Sequence, residues 1–200
     1  MRVKLGDVCE RGTSNLKLSD VSEKNGEFSV FGASGYIGSV DFYQQGYPYV
    51  AVVKDGAGIG RAMLCPGKTS VIGTMQYLLP KDNILPKYLF YVVKYMNLEK
   101  YFTGATIPHI YFKDYKNEEF NFDFWERQVE IVSVLVNAKK LLICVNRNYN
   151  YWTSLSKPDL SNCLVIRFQI LTVYQKLHYL TWENLVEEYL NIDQEMILSC

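Results

Sequence analysis

The chain of 200 residues predicts an α+β protein: a mixed, β-rich N-terminal domain, then a long coiled-coil-forming helix, then a helical C-terminal tail. Three observations predict this. Up to residue 80, short β-branched and aromatic runs alternate with Gly and Pro turns. Ile131, Leu135, Ala138, Leu142, Val145, Tyr149 and Trp152 then follow at gaps that alternate four and three, a heptad seam. Beyond Pro158, which disfavours α geometry at the residue before it, apolar residues dominate again over 164–180. The boundaries that result are 1–122, 123–156 and 157–200. At 1.5 Å per residue the 126–152 segment makes a rod of roughly 40 Å. Its seam suits pairing with a helix of another subunit, and equally a short antiparallel pair folded back on its own chain.

In chain order, residues 3–8 open the domain, with Leu5, Val8 and Cys9 in the core. Arg11-Gly12-Thr13-Ser14 reads as a turn and 17–26 as polar loop. Phe28-Ser29-Val30-Phe31 is β-rich and enters a glycine-punctuated turn over 32–38. Residues 40–43 and 49–53 read as strands, the second nearly all apolar and therefore central. Further strands fall at 62–64, 70–72 and 75–79, with a turn at Pro66-Gly67. Pro86, acceptable in a first helical turn, opens a helix through about Tyr101 that buries Tyr88, Leu89, Tyr91, Val92, Tyr95 and Leu98. Residues 104–115 read as loop plus a short strand. In the tail, Thr181 suits an N-cap for a last helix burying Trp182, Leu185, Val186 and Tyr189.

Composition narrows the function classes. Hydrophobic residues at 48% and charged residues at 21% are globular values, and the apolar runs are too short to span a bilayer. The N-terminal residues lack the apolar core of a secretory signal. Cys9, Cys65, Cys144, Cys163 and Cys200 are widely spaced and form no CxxC pair, so they read as reduced thiols of a cytoplasmic protein. Zero formal net charge means that any nucleic-acid contact must come from a local basic face or from a partner subunit.

Two phosphate-binding patterns fail on context. Ala-Met-Leu-Cys-Pro-Gly-Lys-Thr over 62–69 resembles a loose phosphate-binding loop, but a β-branched run broken by Gly73 follows where a helix N-terminus is needed. Gly56-x-Gly58-x-Gly60 is mis-spaced for a dinucleotide fingerprint and is also without its helix. The two histidines, His109 and His178, lie in different regions, and no nucleophile–base–acid set or metal-ligand spacing is present. The chain therefore reads as non-catalytic, with no cofactor and no metal.

Several separated pieces, in order, carry a family resemblance: Leu5-Gly6-Asp7-Val8, Phe31-Gly32-Ala33-Ser34-Gly35-Tyr36-Ile37-Gly38, Lys54-Asp55-Gly56-Ala57-Gly58, Ser70-Val71-Ile72-Gly73-Thr74 and Gly104-Ala105-Thr106-Ile107-Pro108-His109-Ile110-Tyr111-Phe112-Lys113-Asp114. Glu126-Arg127-Gln128 stands where the family has Glu-Gln at the start of its helix. Together these resemble the target-recognition domain of type I restriction–modification specificity subunits, over about residues 1–152. The resemblance implies a head, 1–122, that binds one half of a bipartite double-stranded DNA target. It also implies a spacer helix that pairs with a second helix, and docking of modification (methyltransferase) subunits with, in some assemblies, a restriction subunit. The usual family member carries two heads and two helices; one of each here implies a homodimer or pairing with a second specificity half, through Ile131, Leu135, Ala138, Leu142, Val145, Tyr149 and Trp152. No membrane is implied.

Base and phosphate readout needs donors, acceptors and cations on loops. The loops that qualify are 11–14, 34–36, 54–61 and 103–113. Their candidate DNA contacts are Arg11, Ser34, Tyr36, Lys54, Arg61, Thr106, His109 and Lys113. The rival expectation is a protein-interaction adaptor with a coiled-coil assembly helix and no DNA readout, which neutrality and abundant tyrosine would also fit.

Overall fold

A computed structural model describes residues 1–21, 26–104 and 107–152, the stretch 140–152 only as helical backbone. The chain divides into two compact units, 1–128 and 129–200. In the first unit, strands β1 (Arg2–Lys4), β2 (Cys9–Thr13), β3 (Phe28–Gly32), β4 (Gly35–Val40), β5 (Tyr49–Val53), β6 (Ala62–Cys65), β7 (Ser70–Val71), β8 (Met75–Pro80) and β9 (Glu119–Asn121) alternate with short helices α1 (Leu5–Val8), α2 (Pro86–Tyr95) and α3 (Phe112–Tyr115). Helix α4 (Trp125–Trp152) begins at its end.

Among the described residues the strands form three sheets, ordered β1-β9, β2-β8-β5-β6 and β4-β3-β7. The pairings are antiparallel except β3–β7. As its apolar run predicts, β5 is interior and every residue in it is buried. Tyr49, Ala51 and Val53 join Cys65, Val71, Met75 and Tyr77 in one cluster. Strand alternation sends Val50 and Val52 to the opposite face, and α2 lies against β5 and β6. A second cluster of Leu16, Val30 and Val40 sits under the β3–β4 hairpin.

Tyrosines in this core are buried with their tips satisfied. The Tyr49 hydroxyl is hydrogen-bonded to Thr69 Oγ1 at 2.9 Å. That of Tyr77 donates to Gln44 Oε1 and accepts the Val71 N–H at 3.0 Å. Both bonds tie the 41–48 loop and β7 to the central sheet, so these rings supply apolar area and a polar anchor at once.

Several expectations need correcting. Arg11, Gly12 and Thr13 belong to edge strand β2 rather than to a turn, because Cys9–Thr13 finds a full antiparallel partner in β8. Residues 41–43 are not strand; β4 stops at Val40, and Phe42 and Tyr43 are exposed. Helix α2 ends at Tyr95, which is exposed, and Asn97 in the left-handed region (φ 47°) separates it from a 3-10 turn over Leu98–Tyr101. Residues 112–115 form α3 instead of a strand, whereas β9, unforeseen, pairs with β1 across the whole first unit. The helices expected over 164–180 and from Thr181, and His178, lie outside the described residues.

In α4, Ile131, Leu135 and Ala138 are buried at 4%, 5% and 2% exposure, while Val129 is exposed. The first three positions of the heptad seam thus share a covered face. Side chains of Leu142, Val145, Tyr149 and Trp152 lie outside the described residues. Among the described residues, no helix is long and apolar enough to cross a membrane.

Candidate nucleic-acid interface

The loop that leaves β5 makes a wide hairpin to β6. Gly56, Gly58 and Gly60 all take positive φ (81°, 80° and 79°), which lets the chain fold back so that Gly60 N–H reaches Val53 O at 2.9 Å and Val53 N–H reaches Arg61 O at 3.0 Å. A Cβ on Gly60 would meet the backbone at Leu98 and Glu99, so the loop rests directly on the 3-10 turn. The glycines serve a bend between strands. Likewise Lys68-Thr69 leads into β7 rather than a helix, and the Thr69 hydroxyl closes the turn on Pro66 O at 2.7 Å.

A second loop is stitched to the first. Ile110 N–H donates to Lys54 O (2.9 Å) and Gly56 N–H to Pro108 O (3.0 Å). Thr103 and His109 exchange both backbone hydrogen bonds at 2.8 Å, and Ile107 beside them is exposed. Pro108 and Ile110 are thereby bonded to the loop that leaves β5, with His109 held between them.

Asp55 is the hub of those side chains. Its Oδ2 accepts from Lys54 Nζ at 2.6 Å, and its Oδ1 meets His109 Nδ1 at 2.7 Å. Burial pushes the carboxyl up, but hydrogen bonds from Lys54 and His109 outweigh it and hold the group below the ordinary carboxylate range. The His109 ring stacks on Tyr111 (centroids 6.3 Å apart, 23° between planes), and Lys113 Nζ lies 5.3 Å from the Tyr111 ring centroid. Arg61, exposed at the end of the glycine loop, donates from Nε to Gly58 O at 3.3 Å.

Four of the predicted contacts, Lys54, Arg61, His109 and Lys113, are therefore gathered around two stitched loops. Arg11 is exposed on β2, and Ser34 and Tyr36 lie on the β3–β4 hairpin of a different sheet. Tyr36 is 59% exposed with its ring edge-on to Phe31, so it is a surface aromatic rather than a core one. Thr106 lies outside the described residues. The sequence reading missed Asp55 and Tyr111, the two groups that join the cluster, although both stand inside the motifs that carried the resemblance. It also missed the exposed aromatics Phe42 and Tyr47 of the 41–48 loop, having assigned residues 40–43 to a strand. Among the described residues no group of His, Cys, Asp and Glu side chains could hold a metal ion.

The first unit is thus a mixed-sheet domain that presents cations and aromatic rings on and beside two stitched loops and leads into a long helix. The chain belongs to the type I restriction modification DNA specificity domain family, whose model matches residues 1–151. The solved structures it resembles include a type I restriction–modification system S subunit from M. genitalium, with TM-score 0.61 and 16% identity over 94% of this chain and 48% of that one. Another comes from a study of complex assembly and conformational transition in the type I R-M system (0.58, 16%, 88% and 45%). A third is the HsdS subunit from Thermoanaerobacter tengcongensis (0.55, 18%, 88% and 44%). At these identities the structures speak for the fold. The chain spans about half the length of each of these three. No protein of curated function matches it. Membership in this family favours DNA recognition over the protein-only adaptor.

Proposed function

We propose that this chain is a DNA sequence-recognition subunit of a type I restriction–modification enzyme, binding one half of a bipartite duplex target. The observation that carries the proposal is the linking of Lys54, His109, Tyr111 and Lys113 around Asp55, across two mutually stitched loops and the first turn of α3, with Arg61 exposed at the far end of the first loop. Such a surface offers cations for phosphates and side chains with donors and acceptors for base edges. Because Lys54 is already paired with Asp55, Arg61 and Lys113, which have no carboxylate partner among the described residues, carry the phosphate attraction. Arg11 on β2, Ser34 and Tyr36 on the β3–β4 hairpin, and Thr106 supply further contacts.

On this account residues 1–122 form the reading head, 123–156 the spacer and 157–200 an accessory tail. The head reads sequence without performing chemistry, and modification subunits dock on the scaffold to methylate adenine, joined in some assemblies by a restriction subunit, all in the cytoplasm. The heptad stripe pairs with a second helix, in another copy or in a second specificity half, a reading that rests on the spacing of the seam, since Ile131, Leu135 and Ala138 are already covered within the single chain. Two identical heads at the ends of an antiparallel pair would read a symmetric two-part site, with helix length setting the unread gap.

Fluorescence anisotropy of the full chain with duplex DNA across a salt series tests the reading. Affinity should fall linearly with salt on logarithmic axes, with a slope of several counterions. An absence of binding at low salt would contradict it.

A further inference from the structure

The Asp55–His109 pair has a chemical consequence beyond anchoring a loop. An ionised carboxylate only accepts hydrogen bonds, so the imidazole nitrogen facing Asp55 Oδ1 must carry the proton. Lys54, on the other carboxylate oxygen, keeps that carboxylate charged and turned with Oδ1 toward the ring. Backbone exchange with Thr103 and the stacked Tyr111 ring hold His109 in place, with 36% of its side chain exposed. In the neutral ring the remaining nitrogen, Nε2, is then a pure acceptor.

We propose that Asp55 is a positioning residue that sets the His109 tautomer, so that His109 Nε2 reads an exocyclic amino group, adenine N6 or cytosine N4, at one position of the half-site. The proposal rests on the DNA-recognition reading above. In the major groove, adenine and cytosine present amino donors where guanine and thymine present carbonyl acceptors, so a fixed acceptor discriminates between these two pairs of bases. Lys113, held over Tyr111, is the nearby cation able to take a flanking phosphate.

Asp55→Asn makes the test sharp, because Lys54 demands an oxygen. The amide oxygen must face Lys54 Nζ, so the amide NH2 faces the ring, Nδ1 becomes the acceptor and the proton moves to Nε2. Two readouts at about pH 8, above the ordinary imidazole range, test this on the full chain. Ring 15N NMR should show a proton on Nδ1 in the wild type and on Nε2 in Asp55→Asn. Selection from a randomised duplex pool should then show one base position changing from adenine or cytosine to guanine or thymine by about tenfold, with the remaining positions unaltered. His109→Ala should lose preference at that position alone, and adding Asp55→Asn to it should change nothing more.

A proton on Nε2 in the wild type would overturn the proposal. So would Asp55→Asn weakening all sequences equally, the outcome for a purely structural clip. Sequence-selective binding with an unchanged preference overturns this inference alone, whereas failure of the wild type to enrich any sequence overturns the DNA-recognition reading with it.

Discussion

The side-chain amide of Gln128 accepts the backbone N–H of Leu85 at 2.9 Å, from 43 positions away in sequence. Leu85 is the N-cap residue of α2, and Gln128 lies in the first turn of α4, fully buried. The same amide donates to Asn83 O at 3.0 Å and Asp123 O at 2.9 Å. Tyr88, on α2, donates to Asp123 Oδ2 at 2.8 Å, so one network joins the α2 entry to the 121–128 turn. Gln128→Leu keeps the volume but removes three hydrogen bonds, to the half-buried Leu85 N–H and Asp123 carbonyl and to the exposed Asn83 carbonyl. At about 0.5–1.5 kcal/mol net for each bond, unfolding in urea should show a loss of about 1–3 kcal/mol.

Arg61 is exposed, and among the described residues its side chain bonds to a carbonyl of its own loop. Arg61→Ala should weaken duplex binding across all sequences and reduce the salt slope by about one counterion. Anisotropy at matched salt concentrations reads both effects. An unaltered slope would remove Arg61 from the phosphate contacts.

Glu118 accepts from Lys100 Nζ at 2.6 Å and from the Tyr101 hydroxyl. Burial raises its carboxyl, but the Lys100 and Tyr101 hydrogen bonds hold it below its ordinary value, and Asp55 is lowered in the same way by Lys54 and His109. A depressed folded-state value contributes stability above the unfolded carboxylate range of about 4 and loses it as pH falls through the folded value. Stability measured by urea unfolding should therefore decline as pH falls from about 5 to 3. Glu118→Gln should decline less steeply over the same window, and an identical decline would contradict a charge-based role.

Leu135 is 5% exposed on the seam face of α4. If that stripe pairs with another helix, the wild type should sediment as a dimer at micromolar concentration. Leu135→Asp with Leu142→Asp should convert it to monomer, because two carboxylates in an apolar seam are strongly disfavoured. A monomeric wild type, or an unchanged mass after both substitutions, would contradict inter-chain pairing.

Much of the fold was legible where one periodic signal dominated. The apolar run at 49–53 marked the central strand because burial on both faces removes alternation, and Pro86 marked the start of α2. Short elements were less legible. β9 exists because Glu119–Asn121 finds β1 far away in sequence, a tertiary pairing with no local signature. The end of α2 was overrun because Leu98 continues the helical spacing while Asn97 breaks the backbone. At the site, cations and His109 were identifiable as chemistry on loops. Asp55 stands on the same loop as Lys54, but its pairing with His109, 54 positions away, is a tertiary contact with no local signature. Gln128 read as a polar residue opening a helix, and nothing local marks it as buried.

The most direct test of the account is to express the chain with its modification subunit and map methylated adenines genome-wide. The account predicts methylation confined to a bipartite motif that disappears when this chain is omitted. Methylation at the same adenines without the chain, or a lack of any shared motif with it, would contradict the claim that the domain reads DNA sequence.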